Sequence, residues 1–186
     1  AAKVKHEASC GVEEIGLFYL GESFLVPWLP AAVKFAKRVA KYPYVFLTTN
    51  GSLATPDRIR ACMEAGLDSL KFSLNYADAG QFAEIANVKI ALYATMIRNI
   101  KLAKGVRDDV EKRTGHRCGL YASYILYDGD QGERMKRAVA DIEPYVDEVY
   151  ALPLYNQASL VDKDERARGW TPTAGNRGRA GALRRA

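Results

Sequence analysis

The apolar run Ile15-Gly16-Leu17-Phe18-Tyr19-Leu20, closed by Gly21, is short and rich in β-formers, the pattern of a strand buried on both faces. Pro27 and Pro30 then mark a turn and a first helical position. From Ala31 to Tyr42 apolar Val33, Phe35, Ala36, Val39 and Ala40 alternate at helical spacing with Lys34, Lys37, Arg38 and Lys41, predicting an amphipathic helix. The unit repeats. Tyr44 to Thr49 reads as a strand, Asn50-Gly51 as a turn, and Thr55-Pro56-Asp57 as a cap and N1 proline opening a helix that runs to Glu64 and stops at Gly66. Ser69 to Leu74 predicts a third strand, and Phe82 to about Lys104, with a charged continuation to Arg113, one long helical region. Gly119 to Tyr127 predicts a fourth strand, Glu133 to Ile142 a helix stopped by Pro144, and Glu148 to Tyr155 a fifth strand. The tail from about Ala158 carries no such pattern.

Strands alternating with helices require parallel pairing through crossovers, because a parallel pair cannot be joined by a tight hairpin. A doubly wound sheet and a β/α barrel both satisfy the pattern. In either, ligands gather at the carboxyl ends of the strands.

Composition narrows the picture. The 186 residues, 48% hydrophobic and 26% charged, are those of an ordinary globular domain. The longest apolar run is far too short for a membrane span, and no secretory leader is visible, so no membrane partner is expected. Cys10, Cys62 and Cys118 are widely separated, which argues against a disulfide framework or a local metal knuckle, and a cytoplasmic setting is expected. The net charge of +5 resides in Arg166, Arg168, Arg177, Arg179, Arg184 and Arg185, so it belongs to the tail. No aromatic-interleaved basic stripe accompanies it, which speaks against nucleic-acid binding. The start at Ala1 and the Gly/Arg-rich end suggest the middle portion of a larger enzyme.

The strand tips carry the candidate chemistry: Gly21-Glu22, Thr48-Thr49-Asn50-Gly51, Ser73-Leu74-Asn75, Tyr127-Asp128 and Tyr155-Asn156-Gln157. A carboxylate beside a glycine can accept hydrogen bonds from an ammonium, and Thr, Ser and Asn can bind the hydroxyls or carboxylate of an amino-acid-bearing nucleotide. The same residue types also begin turns and cap helices. None of these tip residues is a nucleophile with an adjacent histidine base, since His6 and His116 lie away from the tips, so triad chemistry finds no support.

Two segments, "LFYLGESFL" (17–25) and "LTTNGSLATPDRIRACMEAGLDSLKFSLN" (47–75), resemble the radical S-adenosylmethionine superfamily, in particular its branch with a C-terminal cysteine-rich SPASM domain. The first looks like the family's Gly-Gly-Glu-Pro motif on strand two, and the second like its third and fourth β/α units. The resemblance covers roughly Val12 to Gln157. It implies an α/β fold, a partial (β/α)6 TIM-like barrel of parallel strands and outer helices with the first strand missing, over residues 1–157. Residues 158–186 would be a linker or tail leading to an absent auxiliary domain. It further implies that Gly21 and Glu22 hold the methionine amino group of S-adenosylmethionine, that Thr48 or Asn50 and Ser73 meet its polar portion, and that Asn75 lies near the ribose. Tyr124 and Leu154 would face the cofactor or substrate. Partners would be a small-molecule or peptide substrate and an electron donor.

The sequence departs from that family at its defining feature. The Cys-x3-Cys-x2-Cys loop that binds a [4Fe–4S] cluster is absent, so no metal ligand is assigned, and each cysteine reads as an ordinary thiol. Leu20 and Ser23 replace the motif's first glycine and its proline. The leading expectation is a radical SAM core that, when complete with its cluster, generates a 5′-deoxyadenosyl radical for hydrogen abstraction. The competing one is a non-catalytic binding or scaffold domain that keeps the barrel without the cluster. An ordinary enzyme of a phosphorylated metabolite is the third, and it lacks any Gly-rich phosphate loop.

Overall fold

The computed structural model describes residues 2–18, 21–86, 89–126 and 131–153. Five strands form one parallel sheet: β1 (Glu14–Gly16), β2 (Tyr44–Thr49), β3 (Ser69–Ser73), β4 (Gly119–Leu126) and β5 (Glu148–Pro153). The helices are α1 (Ala2–Ser9), α2 (Leu29–Lys34), α3 (Pro56–Glu64), α4 (Ala79–Ala86), α5 (Ala91–Thr114) and α6 (Gln131–Ile142). Strand order follows chain order, β1-β2-β3-β4-β5, and every pair is parallel. A doubly wound sheet reverses its order at a switch point. No reversal occurs among the described strands, so successive right-handed crossovers bring the helices to the same side.

Side-chain alternation agrees with that arrangement. Val45 and Leu47 of β2, Leu70 and Phe72 of β3, and Leu120 and Ala122 of β4 belong to one core with Val33, Ile59, Met63, Met96, Ile100 and Met135 from the helices. The intervening residues Tyr44, Phe46, Thr48, Lys71 and Tyr121 are half-buried on the second face. That face starts with an aromatic floor. A Cβ on Gly16 would lie 2.9 Å from the Phe46 ring, and one on Gly119 would lie 2.7 Å from the Tyr121 ring, so the Phe46 ring leans across onto β1 at its own level and the Tyr121 ring folds back toward the amino end of β4.

Several predicted boundaries are corrected. β1 spans three residues, not the run to Leu20, and it is half-buried at the sheet edge where only β2 pairs with it, so the expectation of burial on both faces fails. The first amphipathic helix starts at Leu29 and widens into a π-helical segment, Phe35–Val39, before Lys41 takes a left-handed φ of 64° and tucks Tyr42 into the core. Thr55 sits at the N-cap of α3 but its side chain makes no capping bond. The single long helix predicted from Phe82 divides into α4 and α5. Phe82 packs on Tyr76 and Tyr93 at ring separations of 5.0 and 5.9 Å, and the Tyr93 hydroxyl donates to the Ala77 carbonyl at 3.3 Å, which ties α4 to the first turn of α5. Gly115 ends α5 in the left-handed conformation, φ 71°, with its N–H on the Glu111 carbonyl. The predicted tail, 158–186, lies outside the described residues. No helix among those described is long and apolar enough to cross a membrane.

Two aspartates anchor the amino ends of the strands in the same manner. Asp68, just before β3, accepts from the Val45 N–H of β2 at 2.7 Å and from Lys37 Nζ at 2.7 and 2.8 Å. Asp147, just before β5, accepts from the Leu120 N–H of β4 at 2.7 Å and from Arg107 of α5 at 2.9 and 3.0 Å. Burial alone would push the Asp147 carboxyl up, but the Leu120 N–H and the Arg107 and Arg117 guanidiniums outweigh it and hold the group below its ordinary value. A carboxyl held low stabilises the fold fully above the ordinary carboxylate range and loses that contribution as pH falls through the lowered value. Urea unfolding measured from neutral to strongly acidic pH is therefore expected to show a stability loss that Asp147→Asn makes shallower. Identical slopes for the two proteins would refute the assignment.

Candidate functional site

The carboxyl rim of the sheet holds Glu22, Asn50, Ser73 and Asn75, with Glu22 the most connected, while the predicted tips at 127–128 and 155–157 lie outside the described residues. Glu22 caps the 3-10 turn Ser23–Leu25 after β1, where its Oε1 accepts from the Phe24 N–H at 3.1 Å. The same oxygen accepts from Thr49 Oγ1 at 2.6 Å, and Oε2 accepts from the Asn50 N–H at 2.8 Å. The carboxylate is thus a strap between the turn after β1 and the turn after β2. Each carboxylate oxygen offers two acceptor positions, so Oε2 keeps one for a further donor. Ser23 adds a second link: its Oγ donates to the Thr48 carbonyl at 3.0 Å, shared with the Leu17 carbonyl at 3.3 Å.

The Asn50-Gly51 turn is built locally. Asn50 Oδ1 accepts from the Ser52 N–H at 2.9 Å and Ser52 Oγ at 2.7 Å, closing an Asx turn, while Thr49 Oγ1 accepts from the Gly51 N–H at 3.0 Å. Gly51 has φ 79° and lies against Met96, which leaves little room for a Cβ. Asn99, buried on α5, donates to the Gly51 carbonyl at 2.8 Å and fixes the turn from the helix side.

The predicted residues fall into two groups. Glu22 and Asn50 meet, and it is Thr49 rather than Thr48 that completes their contact. Thr49 has the parity of the helix-side face, whereas Thr48 points to the second face with its Oγ1 buried and unpartnered. Ser73 ends β3 one position beyond the Thr49–Phe72 register, half-buried on the second face, and its hydroxyl has no partner among the described residues. Asn75 follows two residues later, also half-buried. Gly21 is exposed, with an ordinary φ and open space where a Cβ would stand, so the backbone does not require glycine there. Glu22 lines a cavity of about 300 Å³ with Phe18, Ser23, Trp28 and Leu29, and neither Asn50 nor Ser73 contributes to it. Two placements are corrected or left open. Tyr124, expected to face the cofactor or substrate, shares the parity of Leu120 and Ala122 and packs against the helix-side core. Leu154 lies outside the described residues.

Sequence reasoning missed three contributors. Lys71 was legible as a charge interrupting the apolar strand Ser-Leu-Lys-Phe-Ser, and Asn99 as an amide on the apolar stripe of α5. The role of Thr49 needed strand parity, which a pair of adjacent threonines does not reveal.

The three cysteines do not gather. Cys10 is exposed after α1, with its Sγ 3.8 Å from His6 Nε2, whereas Cys62 and Cys118 are buried in the core. Burial pushes the Cys62 thiol up to about 12 and raises Cys118 further still, the reverse of what a thiolate ligand needs. Among the described residues no group of three or more His, Cys, Asp or Glu side chains is arranged to hold a metal ion. Compared with protein-family models and with curated proteins, the chain matches none.

Proposed function

We propose that this chain supplies the S-adenosylmethionine-binding portion of a β/α barrel of the radical SAM kind. The observation that carries the reading is the Glu22 strap, which puts a carboxylate with a spare acceptor position at the carboxyl rim of a sequentially ordered parallel sheet. In this reading the five strands are part of a (β/α)6 barrel. Glu22 Oε2 takes an ammonium hydrogen of the cofactor, Ser73 Oγ donates to its carboxylate, and Asn75 faces the ribose, with Thr48 and Asn50 flanking them. Gly21 allows the backbone to approach the ligand closely.

The scattered, partly buried cysteines do not fit a [4Fe–4S] cluster. The proposal therefore assigns this chain cofactor binding and substrate positioning, and no bond-cleaving step. A second reading, a binding or scaffold domain of the same fold, draws support from the fact that the Glu22 carboxylate already accepts three hydrogen bonds within the protein.

Titration calorimetry with S-adenosylmethionine and S-adenosylhomocysteine separates the two. Saturable binding is expected, with Ser73→Ala weakening it roughly tenfold, the size of one hydrogen bond to a charged group. Absence of binding at millimolar ligand overturns the cofactor reading and leaves the scaffold.

A further inference from the structure

Lys71 is the unexplained charge of the sheet. It lies in the middle of β3, in register with Thr48 of β2 and Tyr121 of β4, and so on the second face. Among the described residues the other titratable groups of that face are Glu14, Tyr44, Tyr121, Glu148 and Tyr150, and each has an interaction of its own. Lys71 has neither a hydrogen bond nor an ion pair among the described residues. Burial pushes its ammonium below the ordinary lysine range, as expected of a cation that has lost water without gaining a partner.

A second unsatisfied group stands beside it. Thr48 Oγ1 is buried and without a hydrogen-bond partner, on the adjacent strand at the same level. A buried hydroxyl left unpaired costs about 1–3 kcal/mol, and a half-buried cation without a partner adds to that. Two such groups side by side have a common remedy, a ligand atom that accepts from both. The surroundings suit it. The Tyr121 ring folds away over Gly119, the aromatic floor of Phe46 and Tyr44 lies below, and the Ser73 and Ser123 positions lie above toward the rim.

We propose that Lys71 and Thr48 form an oxyanion-binding centre on the second face of the sheet, which takes the carboxylate or phosphate of an acidic substrate. The ammonium donates two or three charge-assisted hydrogen bonds to that group and Thr48 Oγ1 donates one. The inference goes beyond the cofactor reading, because that reading gives Thr48 only a flanking place and Lys71 none, and free oxyanions test the centre without the cofactor.

The test uses the whole chain. Lysines are acylated at neutral pH with an amine-reactive acetyl ester, and rates are read peptide by peptide by mass spectrometry. Parallel samples contain inorganic phosphate, succinate, or sodium chloride at matched ionic strength. A bound oxyanion keeps Lys71 protonated and unreactive, so its acylation is expected to slow at least about fivefold with phosphate or succinate and not with chloride. Exposed Lys3 should be unaffected by all three. Whichever oxyanion protects Lys71 identifies the substrate group. Thr48→Val, checked for folding by circular dichroism, should lose most of the protection. The proposal is overturned if neither oxyanion protects, if chloride protects equally, if Thr48→Val protects as well as the parent, or if the reagent never reaches Lys71. None of these failures would bear on calorimetry with S-adenosylmethionine.

Discussion

Glu22→Ala is expected to destabilise the protein by about 3 kcal/mol, since hydrogen bonds to a charged group contribute roughly 1.5–3 kcal/mol each and partial solvation discounts three of them. The change strips a partner from the Phe24 N–H, the Asn50 N–H and the Thr49 hydroxyl together. Thr49 is 2% exposed, so its hydroxyl cannot turn to water for the lost acceptor. The two turns the strap joins would then move independently. Glu22→Gln distinguishes charge from shape: its amide oxygen can still accept from Thr49, but its NH2 faces the Asn50 N–H donor to donor. It should recover part of the stability and none of the Asn50 contact. Urea denaturation with the three proteins measures this, and a loss below about 1 kcal/mol for the alanine variant, the range of an ordinary exposed pair, would show that the strap holds nothing.

The same strap explains what sequence could and could not reveal. Turn residues and apolar runs located β2 to β5 and the helices α3 and α6 to within a few residues, because Asn-Gly, Thr-Pro-Asp and Ala-Gly-Leu-Asp act through backbone geometry alone. Strand order needed the structure. Sequential and reversed orders share the same local periodicity, and only the register of β1 on β2 and of β3 on β4 separates them. The helix break before α5 was hidden because Phe82 and Tyr93 stand eleven residues apart, close to three helical turns, so an apolar face continues across it. The rim residues were legible by position, as Glu22 and Asn50 show. Their division between two faces was not, since adjacent residues at a strand end differ only by the pleat. Lys71 was visible as a residue and invisible as a site, because its meaning lies in what fails to contact it.

At the opposite rim, Arg107→Met is expected to cost about 3 kcal/mol, the lower end for removing one partner of a buried charge pair. The Arg107 side chain is only 5% exposed, and it donates to both oxygens of Asp147 and, through Nε, to Asp108. Asp147 in turn accepts the Leu120 N–H, so the guanidinium orients the carboxylate that starts β4 beside β5. Methionine fills most of the volume without the charge, which confines the effect to the lost charge and hydrogen bonds. Arg117 also reaches Asp147, at 2.8 Å, but its side chain is 50% exposed, and Arg117→Met should change stability by under about 1 kcal/mol. The double variant Arg107→Met with Asp147→Asn should be less destabilised than the two single losses summed, because each removes the same bond. Strict additivity in urea unfolding would mean that Arg107 stabilises α5 by packing alone. The carboxyl rim, where the cofactor site is proposed, would then lack the rigid base that a pair joining α5 to the β4–β5 edge provides.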